Sequence, residues 1–261
     1  MDCNICKSNS MFSFRCEVLN KYQVSYYKCS VCDFIQTELP YWLNEAYSSA
    51  ITSLDIGLIH RNIQIAPILQ VLIKSLYNKD ARFIDYGGGY GMLVRMMRDR
   101  GFDFYRQDIY CENLFSKNFD VDEDLKNKSG FELLTAFEVF EHLPDPIKEL
   151  EIMLSYSSDI FFSTSIYPKD ANLLKWWYLI PETGQHVSLY SEESLKYLAS
   201  KYNLNYYCFN NIYHLFTKKV ISNAAFKRVF NRWNQKIVNR IKPNPASLLD
   251  KDFNKISGTK M

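Results

Sequence analysis

The chain has 261 residues, 47% apolar and 23% charged, which excludes a disordered polypeptide and leaves room for one large core with a small appendage. The net charge of +2 conceals a division: from Lys218 onward eleven Lys or Arg face two Asp, so the tail carries +9 and the preceding residues −7. No apolar run approaches the length of a membrane span and the start, MDCNIC, has no secretory signal, so a cytoplasmic location with reduced thiols is expected.

The first forty residues differ from the rest. CNIC (Cys3, Cys6) and CSVC (Cys29, Cys32) are two CxxC knuckles separated by 22 residues. Each lets two thiolates converge on one ion, and together they complete a tetrahedral four-cysteine zinc site. Redox dithiols or ordinary buried cysteines are the competing readings; a paired-knuckle arrangement disfavours both. The intervening FSFRCEVLNKYQVSYYKC reads as short strands, so residues 1–45 are expected to form a zinc-ribbon-like domain. Four thiolates close the coordination shell, which makes the metal structural. Cys16 reads as a spare, and Cys111 and Cys208 as isolated core residues.

Further along, IQIAPILQVLIKSLYNK has helical spacing of its Ile, Leu and Val. RFIDYGGG reads as a strand entering a glycine turn, MLVRMMRDR as a helix closed by Gly101, and FDFYRQDIY and FELLTAF as two more strands. DPIKELEIMLSY is expected to be a helix with Asp145 as N-cap and Pro146 in its first turn. DIFFSTSIY follows as a strand, then SEESLKYLASKY as a helix opened by Ser191. NYYCFNNIYHLFTKK reads as a hairpin around Asn210-Asn211. Strands alternating with helices predict an α/β fold with a parallel sheet covered on both faces and an antiparallel pair at its end. Residues 46–219 would be this core and 220–261 an extension.

FIDYGGGYG supplies Asp85, Gly87, Gly89 and Gly91 in the order D-x-G-x-G-x-G. Glycines permit a sharp turn and let a ligand approach the backbone. The nicotinamide-type G-x-G-x-x-G fails in every register, and no GK[ST] follows. Asp108 ends the next strand, where a carboxylate can accept both hydroxyls of a ribose; a solvated turn residue is the plainer alternative. DYGGGYG, Asp108 and TAFEVFEHLPDP in succession resemble the motifs of class I S-adenosylmethionine-dependent methyltransferases. The resemblance runs from about Arg82 to Lys219, with Glu132 a departure from the Asp usual there. It implies a Rossmann-like seven-stranded sheet and S-adenosylmethionine as cofactor. Gly87, Gly89 and Gly91 would line its methionine and ribose, Asp85 would orient the loop, Asp108 would bind the ribose, and Phe137 would belong to the cofactor site. The cysteine-rich head with PETGQHVSLYS is similar to methyltransferases encoded among bacterial sugar and capsule polysaccharide genes. The long C-terminal catalytic extension of some of those is absent, so the resemblance implies O-methylation of a sugar or capsule substituent, a phosphoramidate group included.

In FEVFEHLPDP an apolar strand ends abruptly in Glu138, Glu141 and His142, which on a helical turn would share one face. One reading makes His142 a general base held by Glu141. In the other, Glu138, Glu141 and His142 join His186 around a divalent cation, since E-x-x-E-H resembles the metal motif of small-RNA 2′-O-methyltransferases and ubiquinone-pathway O-methyltransferases. The bland alternative is a capped turn with a hydrogen-bonded histidine. Tyr41, Trp42, Tyr47, Arg61, Trp176, Trp177 and Tyr178 are further acceptor-site candidates, the last three in a connection long enough to cover a site. A nucleotide-linked or other small saccharide is the expected partner. An RNA substrate is the alternative enzyme reading, and a cofactor-binding scaffold the non-catalytic one. In the tail, Phe226, Val229, Phe230, Trp233, Ile237, Val238 and Ile241 space along one helical side with basic residues on the other. Packing on the body or a second subunit is the preferred reading of that pattern. Attraction to an anionic membrane surface or a nucleotide-linked substrate is the sharper alternative, and the acidic body disfavours nucleic acid.

Overall fold

The computed structural model describes residues 1–48, 51–121 and 130–258. Its elements, in chain order, begin with β1 (Ser10–Val18), β2 (Tyr22–Cys29), β3 (Ile35–Thr37), α1 (Leu43–Ala46) and α2 (Leu58–Leu76). Then come β4 (Arg82–Tyr86), α3 (Met92–Asp99), β5 (Asp103–Gln107), β6 (Leu133–Phe137), α4 (Pro146–Tyr156) and β7 (Ile160–Ser163). They continue through β8 (Ser188–Leu189), α5 (Glu192–Lys201), β9 (Asn205–Phe209) and β10 (Tyr213–Thr217) to α6 (Asn223–Arg228), α7 (Arg232–Ile241) and α8 (Leu249–Ser257).

The larger sheet has six strands among the described residues, ordered β5-β4-β6-β7-β10-β9. β4 pairs in parallel with β5 and β6, and β9 antiparallel with β10, giving the expected mixed α/β fold. Seven strands were expected. Beside β5, among the described residues, a single parallel bridge joins Arg106 to Asp120 where another strand would pair. Local chemistry explains the elements. Ser191 opens α5 through a capping box with Ser194, and Asp145 accepts from Lys148 N at the start of α4. Asn210 and Asn211 both take positive φ (54° and 57°) at the β9–β10 turn, a conformation asparagine tolerates better than most residues.

The chain divides into two compact units, residues 1–54, 136–154 and 161–219 in one, and 55–135, 155–160 and 220–261 in the other. In the first, β1, β2, β3 and β8 form an antiparallel sheet, with Ile35 opposite Leu189 and Gln36 opposite Ser188. Thus a strand from far along the sequence completes the sheet of the cysteine-bearing head. The core beneath mixes the two sources: Val18, Val24, Tyr26 and Ile35 pack with Tyr167, Leu179, Val187 and Leu189. Trp42 belongs to this core, fully covered and donating Nε1–H to the Gly184 carbonyl at 2.8 Å. An indole so engaged is a packing residue and not an acceptor contact.

In the second unit α3 follows the glycine turn, and the tail lies against it. The tail departs from the expected single amphipathic helix because Asn231 caps a new one, accepting from Asn234 N at 3.0 Å. Phe226 and Val229 are buried, while Trp233, Ile237 and Ile241 stay exposed. Cys111 and Cys208 are half-buried rather than core residues.

Candidate functional site

Four cysteine sulfurs converge in the head, all within 4.8 Å of one another, with Cys3 to Cys32 at 3.6 Å and Cys6 to Cys29 at 3.3 Å. A tetrahedral zinc with Zn–S bonds of about 2.3 Å spaces its sulfurs about 3.8 Å apart, so the residues fit that ion. The two knuckles repeat one backbone form. Cys3 N donates to Ser8 O and Cys29 N to Phe34 O, each at 2.8 Å, and the residue after each second cysteine, Lys7 and Asp33, has positive φ. Main-chain N–H groups of Val31 and Cys32 also point at Cys29 Sγ, as suits a thiolate holding a cation.

The glycine turn runs from β4 into α3. Gly87, Gly89 and Gly91 all have positive φ (66°, 53° and 82°), a region costly for residues with a Cβ. At Gly91 a Cβ would also lie 2.2 Å from Ser116 Oγ and 2.7 Å from Asn113 Oδ1, so this glycine makes room for a neighbouring loop. Asn113 and Ser116 carry no motif signal; only the fold reveals them. Asp108 Oδ2 accepts Gly89 N–H, and Oδ1 accepts the N–H groups of Tyr110 and Cys111, each at 2.8 Å. The carboxylate thereby pins the turn. Asp85 is buried beneath it and accepts from Thr135 Oγ1 at 2.6 Å. Burial pushes its carboxyl up to about 7, with the Asp108 charge adding and the Thr135 bond and Arg106 opposing.

In the other unit, the segment after β6 forms a second cluster. Phe137 is half-buried, edge-on to Phe161. Glu138 has φ of 54°, which takes it out of the helical register expected for E-x-x-E-H. Its carboxylate turns aside to accept from Ser163 Oγ at 2.5 Å and Tyr178 Oη at 3.2 Å. A 3-10 turn, Phe140–His142, then presents Glu141 and His142. β8 and the residues flanking it are tied onto that turn by Val187 N–H to Glu141 O at 2.9 Å, Tyr190 Oη to Phe140 O and Ser188 Oγ to Leu143 O. This docking brings His186 to a T-shaped contact with His142, ring centroids 5.0 Å apart.

Glu141, His142 and His186 offer one ligand atom each within 4.8 Å of one another. Glu141 is fully buried and neither of its oxygens completes a hydrogen bond. Burial pushes its carboxyl up to about 8, the Glu138 charge adding to this while the Tyr178 and Thr164 hydroxyls nearby draw it back somewhat. Burial likewise lowers His142 well below the usual imidazole range, helped by His186, and takes His186 to about 4. Both imidazoles are therefore neutral at pH 7. His186 Nδ1 lies 2.6 Å from the Tyr178 carbonyl, which can only accept, so Nε2 keeps its lone pair. His142 Nδ1 bonds Tyr47 Oη at 3.0 Å. Tyr41 and Trp177 are exposed and Trp176 is half-buried. Arg61 forms a two-pronged ion pair with Asp55.

The family profile described as a methyltransferase domain matches residues 59–208. No curated protein matches the chain in sequence. Among solved structures, the chain is similar to the plantazolicin methyltransferase BpumL in complex with SAH. The identity is 13%, the coverage 78% of this chain and 91% of that one, and the TM-score 0.50. It is also similar to an O-methyltransferase family 2 protein from Planctomyces limnophilus DSM 3776 in complex with apigenin, at 12% identity, 67% and 66% coverage and a TM-score of 0.46. At such identity the BpumL match speaks for the fold alone.

Proposed function

The chain belongs to the methyltransferase domain family, and on that premise we propose that it transfers a methyl group from S-adenosylmethionine to an oxygen of a small, saccharide-related acceptor. The observation that carries the cofactor half is the Gly87–Gly91 turn, with three left-handed glycines and a carboxylate, Asp108, holding its backbone. That turn opens α3, whose N-terminal N–H groups and dipole favour polar and anionic ligand groups. Residues 1–45 would act as a zinc-bearing head, 46–219 as the catalytic core and 220–261 as an extension.

The acceptor half rests on the cluster after β6. Transfer forms an O–CH3 bond as the S–CH3 bond breaks and the thioether leaves; the hydroxyl proton must also depart. Neutral His142, with Glu141 and His186 beside it, is the group suited to that task. A second reading is favoured by the orphaned Glu141 carboxylate: Glu141, His142 and His186 would hold a divalent cation, which would supply Lewis-acid help in lowering the pKa of the acceptor hydroxyl. Glu138 then stands outside the ligand set, bonded to Ser163 and Tyr178.

The saccharide assignment follows the resemblance of the head and of PETGQHVSLYS to methyltransferases of sugar and capsule genes; a phosphoramidate-bearing sugar fits it too. Incubation with S-adenosylmethionine and nucleotide-linked sugars, capsule precursors and small RNAs in parallel tests the reading. Methyl transfer to a sugar hydroxyl is expected. Turnover of RNA alone would redirect it to nucleic acid, and cofactor binding without any turnover would make the chain a scaffold.

A further inference from the structure

We propose that α7 is a docking surface for an anionic lipid membrane. Successive residues of an α-helix are about 100° apart, so Trp233, Ile237 and Ile241 share one stripe. All three are exposed, at 76%, 53% and 72%. The opposite side of the helix is the one that packs: Asn239 accepts from Gln70 and Lys74 of α2, at 2.7 Å and 2.8 Å. A helix that packs through amides and turns its tryptophan and isoleucines to solvent reverses the usual amphipathic arrangement. Ile59 and Ile63 of α2 are exposed as well, and Ile63 lines a groove with Pro67, Phe230, Arg232 and Lys236 on the side of α7 that faces α2.

Charge selects the occupant. Arg232, Lys236 and Arg240 form a second exposed stripe alongside the apolar one, and Lys236 Nζ lies 5.5 Å from the Trp233 ring. Between Val220 and Leu249 the chain carries six Lys or Arg and no Asp or Glu. A second copy meeting this face through the same surface would set cation against cation at an isologous contact. An anionic bilayer instead takes the indole and isoleucines into its interface, while long basic side chains reach the headgroups. Each Lys or Arg near such a surface strengthens binding roughly fivefold. No helix among the described residues is long and apolar enough to cross a membrane, so the contact is peripheral.

The test uses the full chain and vesicles of phosphatidylcholine with or without phosphatidylglycerol, read by co-sedimentation. Binding is expected only with phosphatidylglycerol, weakening as salt rises. The triple variants Trp233→Ser/Ile237→Ser/Ile241→Ser and Arg232→Gln/Lys236→Gln/Arg240→Gln should each lose at least tenfold in vesicle affinity. Both replace exposed groups, and an unchanged thermal midpoint shows that each variant is folded. Absence of phosphatidylglycerol-dependent binding, or equal binding by the serine variant, overturns the proposal. So does a dimer in sedimentation velocity that the serine variant abolishes, because a second copy would then cover the face.

Discussion

Asp252 of α8 closes on Arg98 of α3 with two hydrogen bonds of 2.7 Å, and both side chains are almost wholly buried. The tail thus anchors itself, through one of its two acidic residues, to the helix that follows the glycine turn. Arg95 adds a third contact to the same carboxylate at 2.9 Å, and the Arg98 guanidinium lies over the Phe119 ring. Removing one member of a buried pair costs about 3–5 kcal/mol. Arg98 retains Asp103 and the Phe104 carbonyl, so Asp252→Ala should fall near the lower end. Urea unfolding measures it. Burial works against the Asp252 charge, but Arg98 and Arg95 hold its pKa below the usual value. Its stabilisation is therefore present above the ordinary carboxylate pKa and lost as pH falls through the depressed one. The variant should lose less stability in strong acid than at pH 7.

Asp108→Ala leaves the N–H groups of Gly89, Tyr110 and Cys111 without their acceptor. Charge-assisted bonds are worth about 1.5–3 kcal/mol each. Affinity for S-adenosylhomocysteine should drop by roughly tenfold or more, with some loss of stability, whereas Asp108→Asn should keep part of both. Calorimetry with unchanged affinity in the alanine variant would remove Asp108 from the cofactor site.

Asp85 predicts the opposite pH trend to Asp252. Its pKa is raised to about 7, so between the unfolded carboxylate value and pH 7 the folded chain binds the extra proton. Stability should consequently decline across that range, by at most about 1.4 kcal/mol per pH unit. Asp85→Asn should flatten the dependence; an unaltered slope would show that another group is responsible.

His142→Ala should lower methyl transfer by about 10²–10⁴-fold, the range of general acid–base contributions, while S-adenosylhomocysteine affinity stays nearly constant. Glu141→Gln and His186→Gln separate the two acceptor-side readings. If a cation is held, both should fail like His142→Ala, and mild chelation should abolish turnover while the four-cysteine metal stays bound. If His142 acts as a base, chelators should have no effect. Near-normal turnover in His142→Ala on the true acceptor would return the cluster to a structural role.

Cys29→Ser should remove the metal of the head, which elemental analysis of the purified wild-type chain should report as one zinc. Since metal binding supplies folding free energy in such sites, proteolysis should open residues 1–45 first in the variant. A metal-free wild type with a protected head would defeat the assignment.

Features whose physics is local were legible before any fold was known. Two CxxC knuckles specify a four-thiolate site through ligand chemistry and short spacing. Likewise D-x-G-x-G-x-G at a strand end specifies a left-handed turn that few other residues would adopt, and Ser191, Asp145 and Asn210-Asn211 mark where α4 and α5 begin and β9 turns. Which distant residues meet depends on long-range packing. His186 was expected beside Glu141 through the resemblance and not through spacing, and the Val187 bond to Glu141 O holds it there. The Gly184 carbonyl that receives the Trp42 indole in the core has no signal in the sequence. Glu138 left the expected face because its left-handed backbone breaks the helical register. The tail pattern had the right amphipathic period but the wrong burial, because periodicity defines a face and not what covers it. Asn231 capped a second helix, Asn239 took the contact with α2, and Trp233, Ile237 and Ile241 were left facing solvent.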